Sequence, residues 1–430
     1  MEHIITDFSK ITGRIKPMHA VNNGPVRPGH DGRRNFETYA AAGFPYARTH
    51  DAACSEEYGG HHVVDICGIF PDFSKDPYDP ASYDFAMTDN YFKNIVEAGT
   101  EVFNRLGAHI EHGVKKYGTL PPPDFKKWAV ICEHIIRHYT ERWADGFNYK
   151  IEYWEIWNEA DLSDTDSGSK PTWGGTREEF FELYRITAAH LKEKFPHLKI
   201  GGPALAGNLA WAEDFLAKLD APLDFFSWHI YASEPCEIVK RAEYVSSILE
   251  KYGHGDAESI LNEWNYVSDW GEGFPDSIKT LISMKGAAFD AACMCEGQRV
   301  GIDMMMYYDV RPCVWCGLFD YHTLRPIWGY YVFRMFADLY EMGNAVECTA
   351  EGKDLYAVAA SDDNGERAVM ISYFTNDPDA EEKSISLTGF GGTADVYLVD
   401  ENHYSENVKR LDTDKEKLVM SPNSVVMIRK

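Results

Sequence analysis

Between about residue 15 and about residue 345 the chain alternates short apolar runs with longer amphipathic stretches, and this rhythm leaves few architectures open. Short apolar runs read as strands and longer stretches with 3.6-residue periodicity as helices; repeated strand–helix units place parallel strands side by side. The expected strands are Ile15–Asn22, Pro45–His50, Thr100–Leu106, Lys150–Trp157, Leu198–Pro203, Asp224–Tyr231, Glu258–Trp264 and Gly301–Tyr308, and eight strands suffice to close a (β/α)8 TIM barrel. Helices are expected over Pro123–Ala144, Thr176–Phe195, Cys236–Tyr252, Asp276–Glu296 and Ile327–Met342, with Thr176 as a cap and Pro196 as a stop signal. The segment from Asp51 to Asp89 is long and rich in Gly, His, Pro and Asp. Long loops after barrel strands are where such a fold builds a pocket.

From about residue 346 the pattern becomes that of alternating strands separated by turns: Leu355–Ser361, Ala368–Thr375, Lys383–Thr388, Ala394–Val399 and Ser424–Arg429. The expected fold class is therefore α/β: a catalytic barrel over 15–345 and a C-terminal antiparallel β-sandwich over 346–430, with residues 1–14 adding a strand to the β domain.

With 44% hydrophobic and 14% aromatic residues, the 430-residue chain can bury a large core. Its formal net charge of −26 repels phosphate backbones and anionic lipid surfaces, so nucleic acid and membrane are not expected partners. Neutral sugars, held by hydrogen bonds and aromatic faces, are compatible with it; a homo-oligomer is left open. Met1–Lys16 has no apolar run suited to a signal peptide, no stretch reaches the ~20 apolar residues of a membrane span, and nine scattered cysteines fit free thiols better than a disulfide framework. These features read as cytoplasmic.

Two strand ends carry the chemistry. Tyr153-Trp154-Glu155-Ile156-Trp157-Asn158-Glu159 ends the fourth strand in an amide and a carboxylic acid, and Ile260-Leu261-Asn262-Glu263-Trp264 repeats the pair on the seventh. Both would face the barrel's C-terminal mouth. Glycoside hydrolysis needs two such carboxyl groups, one to protonate the leaving oxygen and one to attack or stabilise the anomeric carbon; about 5–5.5 Å between them gives retention, about 6.5–9.5 Å inversion. The competing interpretation, a structural ion pair, would not require both motifs in register. Glu155, deeper on the same face, reads instead as an interior partner for an arginine such as Arg48.

With these motifs the chain resembles the clan A glycoside hydrolases, most closely glycoside hydrolase family 39, the β-xylosidase and α-L-iduronidase group. Trp157-Asn158-Glu159 is similar to the clan's acid/base motif and Asn262-Glu263-Trp264 to its nucleophile motif. Arg48-Thr49-His50-Asp51, Gly201-Gly202-Pro203-Ala204, Trp228-His229-Ile230-Tyr231 and Arg325-Pro326-Ile327-Trp328-Gly329-Tyr330-Tyr331 add to the resemblance, while Ala160 stands where the family usually has proline.

The resemblance implies Glu159 as acid/base and Glu263 as nucleophile of a retaining, β-xylosidase-like enzyme. Asn158 would bond the hydroxyl beside the anomeric carbon, Tyr231 would hold the nucleophile, and His229 would touch a hydroxyl. Arg48 would orient Glu263 and keep its pKa low, and His50 would face the sugar. Trp315 is the candidate aromatic platform, with Trp173 and Trp270 as alternatives. No cofactor and no metal is expected, because Cys313-Val314-Trp315-Cys316 lacks a second cysteine pair and His61-His62 with Asp65 lacks further ligands. The alternatives are an arabinosidase-type glycosidase of the same clan, a non-catalytic carbohydrate-binding barrel, and a metal-dependent hydrolase built on His61, His62 and Asp65.

Overall fold

A computed structural model describes residues 2–27, 32–50, 64–164 and 168–430. The first strand, β1 (Glu2–Arg14), lies outside the barrel. Strands β2 (Ala20–Asn22), β3 (Tyr46–Arg48), β4 (Glu101–Leu106), β5 (Tyr153–Ile156), β6 (Lys199–Leu205), β7 (Phe225–Ala232), β8 (Glu258–Tyr266) and β9 (Met304–Tyr307) pair in parallel and close into the eight-stranded barrel. Ala20, Phe103, Tyr153, Phe225, Ile260, Met304 and Met306 fill its floor. Two residues further along the same strands the inward layer turns polar, with Asn22, Arg48, Arg105, Glu155, Ser227 and Asn262 all buried. That switch from an apolar plug to a buried polar layer points to chemistry at the mouth, since burying such groups is unfavourable without partners.

The remaining strands are β10 (Asn344–Glu351), β11 (Leu355–Ser361), β12 (Arg367–Tyr373), β13 (Lys383–Thr388), β14 (Thr393–Val399), β15 (Tyr404–Asp412), β16 (Leu418–Met420) and β17 (Ser424–Arg429). With β1 they form one sheet in the order β15-β14-β17-β12-β11-β10-β1-β13-β16. Pairing is antiparallel except between β1 and β13. Residues from all nine strands, among them Ile4, Ala357, Ile371, Ile385, Val396, Leu411, Leu418 and Val426, share one core, so the sheet folds over itself as a sandwich. Alternate residues of the central strands, Val358, Ala360, Met370, Val425 and Met427, belong instead to the barrel's core cluster, and the Ser372 hydroxyl donates to the Ala288 carbonyl at 2.7 Å. Strand β15 lacks the alternation that would mark it in sequence because most of its residues face solvent at the sheet edge.

The expected helix Asp276–Glu296 is two helices, Phe274–Leu281 and Met284–Arg299. Ser283 takes an extended backbone between them and its hydroxyl bonds the Thr280 carbonyl at 2.7 Å. Gly286 permits the close turn: a Cβ there would lie 2.4 Å from the Leu281 carbonyl oxygen. Helices Phe36–Ala42, Ala86–Glu97 and Leu209–Lys218 add to those expected. No helix among the described residues is long and apolar enough to cross a membrane.

Asp290, on the second of the two helices, is buried in the barrel's outer layer, and burial holds its carboxyl well above the usual carboxylate range. A folded-state pKa raised above the unfolded one contributes stability below the unfolded value and loses it as pH rises, by up to about 1.4 kcal/mol per pH unit until the folded pKa is passed. Asp290→Asn is therefore expected to raise Tm at pH 7 to 8 and to flatten its decline with pH; differential scanning calorimetry checks this, and an unchanged pH slope contradicts it.

Candidate active site

Two strand ends depart from regular alternation, and those departures aim the acidic side chains inward. On β5, Tyr153 and Glu155 point into the barrel, while Trp157, with φ of 74°, turns out to pack on Trp128 and Trp173. Its reversal lets Asn158 follow on the inside, and Glu159, at φ of 50°, opens a 3-10 turn over Ala160–Ser163. Left-handed backbone at two non-glycine residues is strained and is held by surrounding bonds. Here they are Trp157 N–H to the Leu106 carbonyl at 2.6 Å, Glu159 N–H to the Ala204 carbonyl at 2.9 Å, and the Thr172 hydroxyl to the Glu159 carbonyl at 2.7 Å. Ala160 occupies the first position of that turn, where proline would be equally at home. Asp161 ties the turn to the loop after β6 by accepting from the N–H groups of Ala206, Gly207 and Asn208.

On β8 a bulge does the same work. Trp228 pairs with Leu261 but His229 pairs with Glu263, leaving Asn262 unmatched. Ile260 lies in the barrel floor and Asn262 reaches inward to Glu155, whereas Trp264 packs outward on Phe289. The extra residue flips the parity between 262 and 264, so Glu263 also faces in. On β7 no such device is needed, because Phe225, Ser227, His229 and Tyr231 follow the period of two.

These segments bring Glu159, His229 and Glu263 together: one carboxylate oxygen of each acid and a ring nitrogen of His229 all lie within 4.8 Å of one another. All three side chains are buried. Their partners differ. Glu263 accepts from the Tyr231 hydroxyl at 2.5 Å and from Arg48 Nη1 at 3.4 Å, with His50 Nε2 3.7 Å away. Glu159 meets His229 Nδ1 at 2.8 Å. Arg48 is the hub beneath: Nε donates to Glu155 at 2.7 Å and Nη2 to the Asn158 carbonyl oxygen at 2.7 Å, while Nη1 also reaches Asn22 at 3.2 Å. Asn262 donates to the other Glu155 oxygen. The expected pairing of Glu155 with Arg48 is present.

Burial pushes the Glu263 carboxyl up; His229, Arg48 and the Tyr231 hydroxyl pull it down, and Glu159 adds to the rise. The expectation that Arg48 keeps this pKa low is corrected: Arg48 acts in that direction, but desolvation outweighs it and the net shift is upward. Burial also holds His229 below the usual histidine range and His50 well below it, the latter with help from Arg48 and Arg105, which favours the uncharged imidazole in both. Asn158 Nδ2 and His229 Nε2 are buried without a hydrogen-bond partner among the described residues. Buried donors and acceptors without partners are rare, and these two lie on residues beside the acid pair.

Trp315, half-buried, stands beside Tyr231 with ring centroids 5.2 Å apart, and its carbonyl accepts from Asn265 at 2.9 Å. Trp270 and Phe274 extend this aromatic wall outward, Trp270 being 61% exposed. Trp173 is no platform: it is buried against Trp157 and Phe180, and its indole N–H bonds the Thr176 carbonyl. The metal-like patterns lead elsewhere. Cys316 Sγ bonds the Val310 carbonyl and the Phe319 N–H, Asp65 is paired with Arg105 and His109, and His61, His62 and Asp51 lie outside the described residues. Glu159, His229 and Glu263 are a conceivable cation-binding group by distance, yet the Arg48 guanidinium already supplies positive charge to Glu263.

A model of glycosyl hydrolases family 39 matches residues 37–261, which is more than half of the chain. The chain belongs to glycosyl hydrolases family 39. A β-xylosidase of Caldicellulosiruptor saccharolyticus is 33% identical to this family 39 chain over 164 residues, 36% of the chain and 32% of that protein. A β-xylosidase of Geobacillus stearothermophilus is 30% identical over 206 residues, 45% of the chain and 37% of that protein. The matches thus span about a third of these relatives' length. The structure of a glucosidase from Croceicoccus marinus superposes with a TM-score of 0.79 at 20% identity, covering 100% of this chain and 98% of that one, which establishes a shared fold. The family match ends two residues before Glu263, so it is the barrel geometry that joins this residue to Glu159.

Asn22, Arg105 and Asn265 carry no reading as site residues in the sequence, Asp65 only one as a metal-like partner of His61 and His62, and Asn262 only one as part of the Asn262-Glu263-Trp264 motif. The available signals are Val21-Asn22-Asn23-Gly24 ending the first strand and the Asn before each glutamate; Arg105 carries no local motif.

Proposed function

We propose that this family 39 chain is a retaining glycoside hydrolase acting on neutral glycosides in the manner of a β-xylosidase, with Glu159 as acid/base and Glu263 as nucleophile. The observation that carries the reading is the separation: one carboxylate oxygen of each acid lies within 4.8 Å of the other, which fits the retaining spacing of about 5–5.5 Å better than the inverting spacing of about 6.5–9.5 Å. The unequal surroundings assign the roles. Glu263, bonded by Tyr231 and Arg48, is held as an oriented carboxylate, while Glu159 has a neutral imidazole as its partner.

In the first step Glu159 gives its proton to the glycosidic oxygen as Glu263 attacks the anomeric carbon; the aglycone leaves as an alcohol and a glycosyl ester remains on Glu263. In the second, ionised Glu159 takes a proton from water, the water oxygen attacks the anomeric carbon, and Glu263 departs as carboxylate. His229 serves both states, because its Nδ1 accepts from the protonated acid and, in the other tautomer, donates to the carboxylate. Asn158 Nδ2 is the donor for the hydroxyl next to the anomeric carbon, His50 lines the same cavity, and Trp315 offers a ring face. Cys67, Cys132, Cys236, Cys293, Cys295, Cys316 and Cys348 are free thiols, which supports a reducing, cytoplasmic setting. The names of the two curated relatives support xylosides as substrates.

Aryl glycosides spanning α and β, pyranose and furanose forms test this. Hydrolysis of the aryl β-xyloside is expected at least about 10-fold faster than of the arabinofuranoside, a preference of ~1.4 kcal/mol. Proton NMR should show the β-anomer first. The α-anomer as first product overturns the mechanism, hydrolysis of none overturns the enzyme reading in favour of a sugar-binding barrel, and loss of activity with a chelator favours a metal at the acid pair.

A further inference from the structure

Arg105 occupies the inward face of β4, two residues above Phe103 of the barrel floor, and pairs in register with Glu155 on β5. It therefore shares the polar layer of Arg48, Glu155 and Asn262 directly beneath the acid pair. Its guanidinium is fully buried. Nη2 donates to Asp65 Oδ1 at 3.0 Å, and His109 Nδ1 meets the other Asp65 oxygen at 2.5 Å, which fixes the start of the turn Ile66–Ile69 against the barrel. Nε and Nη1 have no acceptor among the described residues. The Arg105 charge acts on His50, whose Nε2 stands 3.7 Å from Glu263, and its register with Glu155 sets the guanidinium in the inward layer on the β4 side of the acid pair.

The modest interpretation is an ion pair that clips a loop to the barrel. It accounts for Nη2 and leaves a buried cation with two further donor nitrogens unused, a condition that folded proteins avoid unless a ligand completes it. What is missing is acceptors rather than negative charge, because Asp65 already balances Arg105 and Glu263 lies near. An anionic ring substituent would add a carboxylate beside two others. Hydroxyl oxygens supply acceptors without that repulsion.

We propose that Arg105 reads the glycone: its Nε and Nη1 N–H groups donate to hydroxyl oxygens of a neutral sugar ring seated at Glu159 and Glu263, on the side away from the scissile bond. This rests on the glycosidase reading above and adds a specificity-determining contact to it.

The test couples a side-chain change to a substrate change, using an aryl β-xyloside and its monodeoxy analogues. Wild-type kcat/KM is expected to fall about 100-fold or more for at least one analogue, since a site built around a hydroxyl strongly rejects a ligand lacking it. Arg105→Gln should cost the parent xyloside a similar factor yet change that analogue less than about 5-fold, because the contact is already gone. Arg105→Lys, which keeps the ion pair with Asp65, is measured in parallel and decides if Arg105→Gln does not fold. Equal losses on parent and all analogues would mean a purely structural role and overturn the proposal; so would an Arg105-dependent preference for a uronide. If the wild type cleaves no aryl glycoside, the glycosidase reading fails first, whereas an active wild type with uniform losses refutes this inference alone.

Discussion

Replacing Glu263 by Gln is expected to lower kcat by about 10⁴- to 10⁶-fold on every glycoside, whatever its leaving group, because an amide cannot serve as the carboxylate nucleophile that forms the glycosyl ester. Glu159→Ala behaves differently. A poor sugar leaving group still needs a proton and loses most of its rate, whereas an aryloxide departs without one, so the glycosyl-enzyme should accumulate from an activated aryl glycoside. Its hydrolysis is slow for want of a base, and azide, which needs no deprotonation, should restore turnover with a product of retained configuration. In Glu263→Ala azide fills the vacated position and the product is inverted. Stereochemistry by NMR decides: retained from Glu159→Ala and inverted from Glu263→Ala agrees with the roles assigned, and the reverse pattern exchanges them.

Arg48→Met is expected to produce the second largest effect, on stability and on the pH profile at once. Its guanidinium serves Glu155, Asn158, Asn22 and Glu263 within a fully buried layer. Removing one side of a buried ion pair costs about 3–5 kcal/mol, because Glu155 is left charged in the barrel interior. Urea unfolding measures that. As the proposed nucleophile Glu263 must be ionised, so activity is expected to fall as pH drops through its pKa, which burial already places above the ordinary value of 4.5. Arg48 opposes this rise. In Arg48→Met the acid limb of kcat/KM should therefore move to still higher pH, measured at a temperature where the variant remains folded. An unmoved limb would show that Arg48 does not act on Glu263.

Much of this arrangement is legible in the residues themselves. The eight barrel strands follow from short apolar runs between amphipathic stretches, and Asn158-Glu159 and Asn262-Glu263 announce themselves at two strand ends. What sequence periodicity does not contain is parity. A period of two applied to β8 sends Glu263 outward; only the unpaired Asn262 turns it in. The same holds at Trp157, whose left-handed backbone carries no marker in its side chain. Helix Ala86–Glu97 escapes notice because Phe85 precedes it where a capping side chain would signal a start, whereas Asn208, which does cap Leu209–Lys218, was a signal available to be read. The predicted single helix over 276–296 fails at Ser283, where short polar side chains offer the backbone other partners. Arg105 and Asp65 illustrate a further limit: 40 residues separate them, and no local pattern links an ion pair formed across a barrel rim.

The position of β1 bears on how the polypeptide acquires its shape during synthesis. Residues 2–14 lie between β10 and β13, bonded to residues 344–351 on one side and 385–388 on the other. A ribosome adding about 5–20 residues per second makes those partners well over ten seconds after β1 itself. Through that interval the strand carries two unsatisfied edges, which are a template for pairing with other chains. Six successive residues of its later half, Ser9–Arg14, remain exposed in the finished fold, and its charged residues include Lys10 and Arg14, so part of the waiting segment is kept hydrophilic. Closing the loop from β1 to β10 also makes the sandwich a non-local structure that forms late. The barrel is thereby the element that can mature first, with the sheet sealing over it once β10 to β17 have been made.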